Sequence, residues 1–130
     1  MGKRVLVVDD DPDIVAFVVT VLEENGFTSI IAKNGEMGMA KTVEENPDLI
    51  ILDILMPKQS GIKMYRELRS DEFLKKIPVI ILSGIAKRTF LRSQEALTAF
   101  GNEIVPEPEA YMEKPVEPEE LAEMIKKFIA

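Results

Sequence analysis

The chain has 130 residues, and its 16 Lys and Arg against 23 Asp and Glu give a formal charge of −7. This length suits one domain that buries its core without a metal or disulfide staple, and the acidic balance argues against direct binding of nucleic acid. The absence of Cys and His excludes thiolate, Cys-ligated zinc and histidine chemistry. Since no apolar run approaches the ~20 residues that span a bilayer and no signal peptide is recognisable, we expect no membrane contact and a cytoplasmic location.

Five short apolar segments, separated by long intervals, predict the strands of a sheet. They do not alternate in polarity and are mostly rich in β-branched residues, which is typical of strands buried on both faces of a parallel sheet. The predicted strands are residues 5–8, 30–32, 49–52, 79–82 and a weaker 110–112.

Segments with helical spacing lie between and after these strands. Asp11 is the expected N-cap of the first helix, Pro12 its first residue and Asn25-Gly26 its end. The other helices are predicted at about residues 35–45, 60–70, 86–100 and from Pro118 onward. The side chains expected in the core are Ile14, Val18, Val21, Leu22, Met37, Met39, Met64, Tyr65, Leu68, Phe90, Leu97, Phe100, Leu121, Met124, Ile125 and Phe128.

The alternation of five strands with five helices predicts one α/β domain over residues 1–130. Such a chain calls for right-handed crossovers and a doubly wound, parallel, five-stranded sheet, written (βα)5. No residues remain for an output domain. The one irregular stretch, residues 101–109, is too rich in proline for a helix and is expected to be an acidic surface loop.

Polar side chains follow four of the predicted strands, at the edge where an open α/β sheet binds ligands. Asp9 and Asp10 follow the first strand, Asp53 the third, Ser83 the fourth and Lys114 the fifth. A single Asp after a strand is usually a turn former or helix cap. A set from four separate segments is a much stronger signal, because turn formation would then require four coincidences at one edge.

The residue types at this edge fit phosphoryl transfer. Clustered carboxylates repel one another unless a cation shares the site, and oxygen-only ligands favour a hard ion, of which Mg²⁺ is the expected one. A hydroxyl and an ammonium suit the oxygens of a phosphoryl group, whose transfer needs positioning and charge neutralisation more than a strong base. An Asp carboxylate can itself act as the nucleophile and form an aspartyl phosphate.

Four segments resemble the receiver domain of two-component response regulators, and the resemblance covers essentially the whole chain. The segments are Val7-Val8-Asp9-Asp10-Asp11-Pro12, Leu52-Asp53-Ile54-Leu55-Met56-Pro57 with Gly61, Ile81-Leu82-Ser83, and Tyr111-Met112-Glu113-Lys114-Pro115. Their order and spacing together are highly specific. The resemblance implies a flavodoxin-like fold with strand order 2-1-3-4-5 and a cis bond before Pro115.

Functionally, the resemblance implies a signalling switch rather than an enzyme. Asp53 would accept a phosphoryl group from a sensor histidine kinase or phosphotransfer protein, and the chain would catalyse only its own phosphorylation and dephosphorylation. Lys114 and Ser83 would meet the phosphoryl oxygens, and Tyr111 corresponds to the aromatic that turns inward when the Ser83 hydroxyl moves. The switched surface would control a downstream protein or output domain, and a phosphorylation-dependent dimer is one expected arrangement.

By the same resemblance, Asp10, Asp53 and the Leu55 backbone carbonyl would bind Mg²⁺, with Asp9 holding a metal-bound water. Leu55 and Ile85 correspond to the positions that flank the acyl phosphate. In receivers that lose phosphate quickly, polar side chains at these positions orient the attacking water. Two aliphatic groups should shield the phosphoryl group instead, so the phosphorylated state is predicted to be long-lived.

The chain departs from the common receiver pattern between Ser83 and Lys114. These residues are 31 positions apart, several more than usual, and residues 103–109 replace a small Gly-Ala-Asp stretch. The departure falls on the face where receivers commonly dimerise or meet partners, and one interpretation is an elaboration specific to a partner. Gly84 stands where Ala is more usual, which would loosen the Ser83 loop.

Two other classes of function stay open at this point. A phosphatase of the haloacid dehalogenase type also uses an Asp nucleophile, and Asp9 and Asp11 imitate its D-x-D motif. Asp13, however, occupies its Thr or Val position, and Asp53 is left unexplained. The other class is a degenerate receiver that binds partners without phosphorylation, against which the intact set of site residues argues.

Overall fold

The structure is a computed structural model that describes residues 2–99 and 104–129. Its five strands are β1 (Arg4–Val8), β2 (Thr28–Ala32), β3 (Leu49–Leu52), β4 (Val79–Ser83) and β5 (Ala110–Glu113). They form one parallel sheet in the order β2-β1-β3-β4-β5. The predicted strands and the doubly wound fold with strand order 2-1-3-4-5 are therefore confirmed.

Within the described residues, five α-helices connect and flank the strands close to their predicted positions. They are α1 (Pro12–Glu24), α2 (Gly35–Glu45), α3 (Ser60–Ser70), α4 (Lys87–Ala99) and α5 (Pro118–Ile129). Asp11 caps α1 as predicted, because its side chain accepts a hydrogen bond from the Asp13 backbone N–H. The predicted end of the fourth helix at Phe100 lies outside the described residues.

Two apolar layers cover the faces of the sheet. Helices α1 and α5 supply one layer, with Val18 and Leu121 buried in it, and α2, α3 and α4 supply the other, with Tyr65 and Phe90 buried. The expected core position of Met37 is wrong, since this side chain is 42% exposed. The buried residues of α2 are Gly35, Gly38 and Thr42, and Met37 lies away from that face.

Small residues bring α2 close to α3. A Cβ on Gly35 would lie 2.0 Å from the Ser60 carbonyl oxygen, and one on Gly38 would lie 2.6 Å from the Met64 sulfur. Glycine weakens an isolated helix, but at these two positions it permits the helix contact. This packing holds the start of α3, where the loop that follows β3 ends.

Residues 104–109 form neither helix nor strand, as predicted, but this segment is more than a surface loop. Val105 packs against the core layer that contains Tyr65 and Phe90. Glu109 forms an ion pair with the buried Arg69. Residues 101–103 of the predicted loop lie outside the part of the chain that the structure describes.

Candidate functional site

The register of the sheet brings the ends of β1 and β3 together. Val8 pairs with Leu52 across the two strands, so Asp9 and Asp53 follow at the same edge. The Asp53 backbone N–H donates to the Val8 carbonyl at 2.9 Å, which holds the two segments together just where the strands end. Both aspartates are buried, with Asp9 3% and Asp53 5% exposed. Two carboxylates are thus fixed side by side in a poorly solvated place.

Lys114 reaches both buried carboxylates from the end of β5. Its backbone N–H donates to the Ser83 carbonyl at 2.8 Å. Its Nζ lies 3.0 Å from Asp9 Oδ2 and 3.5 Å from Asp53 Oδ2. The peptide bond between Lys114 and Pro115 is cis, as the resemblance implied. One ammonium group therefore contacts two carboxylates.

Asp10 completes a cluster of three carboxylates. One oxygen from each of Asp9, Asp10 and Asp53 lies within 4.8 Å of the others, with Asp10 on the exposed side. Burial raises the pKa of Asp9 and the Asp53 charge adds to this, while the Asp11 backbone N–H and Lys114 act in the opposite direction. The negative charge of three carboxylates exceeds the positive charge of one lysine, and oxygen ligands suit Mg²⁺. The residues present therefore fit that ion.

Backbone N–H groups orient the two buried carboxylates. Asp9 Oδ1 accepts from the Asp11 N–H at 2.9 Å, and Asp53 Oδ1 accepts from the Leu55 N–H at 2.9 Å. The Oδ2 atom of each carboxylate is the one that contacts Lys114. The Leu55 side chain is 61% exposed, and metal binding by its carbonyl stays a prediction.

Ser83 and Tyr111 meet at the loop after β4. Ser83 is fully buried, and its Oγ accepts from the Ile85 N–H at 3.3 Å. The Tyr111 hydroxyl donates to the Ile85 carbonyl at 2.6 Å, and the centroid of its ring lies 5.5 Å from that of Phe90. Burial raises the pKa of Tyr111 to about 12, so its hydroxyl stays a donor at neutral pH. Tyr111 is thus turned towards the Ser83 loop, and its role as a switch stays a prediction.

Gly61, at the start of α3, lies against the backbone of Asp53 and Ile54. A Cβ on Gly61 would lie 2.2 Å from the Asp53 carbonyl oxygen and 2.7 Å from Ile54 Cα. Gly61→Ala is therefore expected to lower the free energy of unfolding by about 1–3 kcal/mol, because backbone atoms must shift to make room. Urea denaturation measures the change. The control is Gly84→Ala, whose Cβ meets nothing within 4 Å, and equal stability of the two variants would contradict the close approach.

Two features of this site were not visible in the sequence. The Ile85 carbonyl accepts the Tyr111 hydroxyl, and a backbone acceptor carries no residue signal. Phe90 was expected only as a core residue, but its ring contacts Tyr111. Its place on the inward face of α4, soon after Ser83, is the signal that could have drawn attention to this contact.

A sheet of this order with an aspartate cluster and a lysine at its carboxyl edge is characteristic of receiver domains, which act as signalling switches and pair with histidine kinases and output domains. The family model described as the response regulator receiver domain matches residues 5–126. The chain belongs to this family, and the resemblance found in the sequence is confirmed.

Curated relatives and solved structures agree with this assignment. The chain is 33% identical over 129 residues to the alkaline phosphatase synthesis transcriptional regulatory protein PhoP of Bacillus subtilis. This match covers 99% of this chain and 49% of that protein. It is 34% identical over 126 residues to the phosphate regulon transcriptional regulatory protein PhoB of Escherichia coli. That match covers 97% of this chain and 51% of that protein. The chain thus spans about half the length of these relatives.

Among solved structures, a CheY-like response regulator receiver domain protein from Methanospirillum hungatei matches with a TM-score of 0.78 at 30% identity, over 98% of this chain and 93% of that chain. The signal receiver domain of a histidine kinase from Syntrophus aciditrophicus matches with a TM-score of 0.81 at 29% identity, over 98% of this chain and 89% of that chain. Both similarities extend over nearly the whole chain.

Family membership removes the support for a phosphatase of the haloacid dehalogenase type. That alternative left Asp53 unexplained, whereas Asp53 lies in the carboxylate cluster and contacts Lys114. The degenerate receiver that binds without phosphorylation stays open as an alternative function.

Within residues 2–99 and 104–129, none of the helices combines the length and the apolar character needed to cross a membrane.

Proposed function

We propose that this chain is a phosphorylation-controlled switch in which Asp53 accepts a phosphoryl group from the phosphohistidine of a sensor histidine kinase or phosphotransfer protein. The observation that carries the proposal is the position of Lys114, whose Nζ lies within 3.5 Å of the buried Asp53 and Asp9 carboxylates. An ammonium group at the carboxyl edge of a parallel sheet is well placed to meet a further anion there.

In the proposed reaction, a carboxylate oxygen of Asp53 attacks phosphorus, and the phosphorus–nitrogen bond of the phosphohistidine breaks. The electron pair of that bond leaves with the imidazole of the donor, so the reaction needs no further reactant. Asp10, Asp53 and the Leu55 carbonyl would hold Mg²⁺, with Asp9 supporting it. When bound, this ion would neutralise negative charge on the phosphoryl oxygens.

The change of shape would begin at Ser83. A phosphoryl group on Asp53 gives the Ser83 hydroxyl and the Lys114 ammonium a strong new acceptor. Movement of Ser83 towards it would carry the loop whose Ile85 carbonyl accepts from Tyr111. The phosphoryl group has only to bias two states that differ by about a few kcal/mol.

A groove beside the acceptor suggests where the phosphoryl donor docks. It has a volume of about 240 Å³ and runs between α1 and the segment that follows β5. The groove reaches the site itself, because Lys114 is one of its walls. Its apolar lining suits an apolar helix of the donor protein. The remaining lining residues are Ile14, Phe17, Leu82, Pro115 and Val116.

Downstream, we propose control of a partner rather than enzymatic turnover. The relatives named as transcriptional regulators are about twice as long as the matched region, so contact with DNA would belong to parts of those proteins that this chain does not match. The charge of −7 also argues against contact of this chain itself with DNA. The partner that recognises the phosphorylated state would be a separate protein or an output domain, and we place this interaction in the cytoplasm. A phosphorylation-dependent dimer is one means of control.

Intact mass spectrometry tests the proposed function. The protein is incubated with acetyl phosphate at millimolar Mg²⁺, with and without a chelator, as wild type and as Asp53→Ala. We expect a gain of one phosphoryl group that requires Mg²⁺ and disappears in the variant, because the proposed reaction places the group on the Asp53 carboxylate, which is buried, contacts Lys114 and lies in the carboxylate cluster.

Two results would contradict the proposal. The absence of any modification, together with no perturbation by beryllofluoride, would favour the degenerate receiver that binds without phosphorylation. A modification that survives Asp53→Ala would move the nucleophile to Asp9 or its neighbours.

A further inference from the structure

The segment 104–109, here called the strap, connects to both neighbouring helices. The Pro106 carbonyl accepts a hydrogen bond from the Tyr65 hydroxyl on α3. Glu107 Oε1 lies 3.7 Å from Lys87 Nζ at the start of α4, and both side chains are exposed. The strap is therefore fastened to α3 and borders α4.

A buried cation anchors the end of the strap. Glu109 Oε1 accepts from the Arg69 guanidinium and also from the Val79 backbone N–H at 2.7 Å. Arg69 is 6% exposed, and it also donates to the Lys75 and Ile77 carbonyls at 3.1 and 3.0 Å. Glu109 is thus the counter-ion of a buried guanidinium. Loss of that carboxylate would leave the positive charge poorly compensated.

Three aromatic rings connect the strap to the phosphorylation site. Tyr65 packs against Phe90 with centroids 5.8 Å apart and an interplanar angle of 76°. Phe90 packs against Tyr111 at 5.5 Å, and the Tyr111 hydroxyl donates to Ile85 in the loop that begins at Ser83. Edge and tilted contacts of this kind define ring positions, so a ring that moves disturbs its neighbour.

We propose that docking of the strap and phosphorylation of Asp53 are coupled through Tyr111, Phe90 and Tyr65. The inference rests on the proposed function, since it requires Asp53 to accept the phosphoryl group. Phosphorylation draws Ser83 towards Asp53 and favours the inward Tyr111, which supports the Phe90 and Tyr65 rings beneath the docked strap.

Coupling of this kind is reciprocal. If phosphorylation favours the docked strap, then weakening the strap must weaken binding of the phosphoryl group or its analogue by the same factor. A chain of contacts alone does not demonstrate coupling, so both directions have to be measured.

Hydrogen exchange measures the first direction. Amide exchange of peptides that cover residues 104–109 is followed by mass spectrometry with and without beryllofluoride and Mg²⁺. We expect slower exchange in the beryllofluoride complex of the wild type, and no slowing in Phe90→Leu, which removes a ring while keeping an apolar core residue. Equal exchange in the two forms of the wild type would overturn the proposal.

A matched pair of variants measures the second direction. Glu109→Gln removes the charge that faces Arg69, whereas Glu107→Gln makes the same change at an exposed, more distant pair. We expect the dissociation constant for beryllofluoride to rise about fivefold in Glu109→Gln and to stay unchanged in Glu107→Gln. Tyrosine fluorescence reports the binding, because the chain has no Trp and its two Tyr are residues 65 and 111.

The outcomes separate this inference from the function on which it rests. If beryllofluoride produces no change in tyrosine fluorescence and no mass adduct, the proposed function fails. If it binds equally to Glu109→Gln and Glu107→Gln, the strap is uncoupled from the acceptor and this inference alone is wrong.

Discussion

Lys114→Met is expected to slow the phosphorylation of Asp53 by acetyl phosphate about a hundredfold, which is the typical effect of removing one group that stabilises developing charge in an enclosed site. Methionine keeps an unbranched apolar side chain of similar length but removes the ammonium that lies 3.0 Å from Asp9 and 3.5 Å from Asp53. The incoming phosphoryl group would then approach the carboxylate cluster without the positive charge of Lys114 to offset its own negative charge. The time course of intact mass at saturating Mg²⁺ measures the rate.

The control for this prediction is Lys126→Met, which makes the same chemical change on the exposed last turn of α5. Its phosphorylation rate should equal that of the wild type. Removal of Lys114 also leaves the Asp9 and Asp53 carboxylates without their ammonium partner, so urea denaturation of both variants establishes that the chain is folded under the assay conditions. An unchanged phosphorylation rate in Lys114→Met would mean that the ammonium stabilises the fold without aiding the chemistry.

The carboxyl edge of the sheet was predictable because two independent signals coincide there. Apolar runs such as 49–52 define buried strands, and Asp53 follows directly after one of them. In a parallel sheet the carboxyl ends of the strands lie at one edge, which predicts Asp9, Asp53 and Lys114 there, and the strand order implied by the receiver resemblance makes the first and third strands neighbours. Backbone topology therefore predicted the edge, while the Lys114 side chain makes the contacts with Asp9 and Asp53 from the more distant β5.

The strap and its anchor were not predictable in the same way. Arg69 and Glu109 are 40 positions apart, and neither belongs to a repeating pattern. The sequence marked residues 101–109 as irregular and acidic, which describes composition but not the burial of the arginine that faces Glu109. The prediction that Met37 is a core residue was wrong for a related reason. Helical spacing indicates that one face of the helix is apolar, but the close contact of α2 with α3 decides which face is buried.

Leu55→Asn combined with Ile85→Glu is expected to shorten the lifetime of the acyl phosphate at least about tenfold, since a side chain that positions or deprotonates water contributes about 10²–10⁴-fold to a reaction. Leu55 lies two residues after Asp53, and its side chain is 61% exposed. Ile85 lies two residues after Ser83, and its carbonyl holds Tyr111. The substitutions keep both backbone contacts while introducing polar groups at the two positions that, by the receiver resemblance, flank the acyl phosphate.

The lifetime is measured by removing the phosphoryl donor and following the loss of mass with time. Leu55→Met with Ile85→Val is the matched control, because both positions stay apolar and the lifetime should stay that of the wild type. Hydrolysis by the polar double variant at the wild-type rate would show that aliphatic side chains at these positions do not protect the phosphoryl group. The single variants then divide the effect: Leu55 is exposed whereas Ile85 packs against the core, so a polar group at residue 55 has the freer access to water and should account for most of the acceleration.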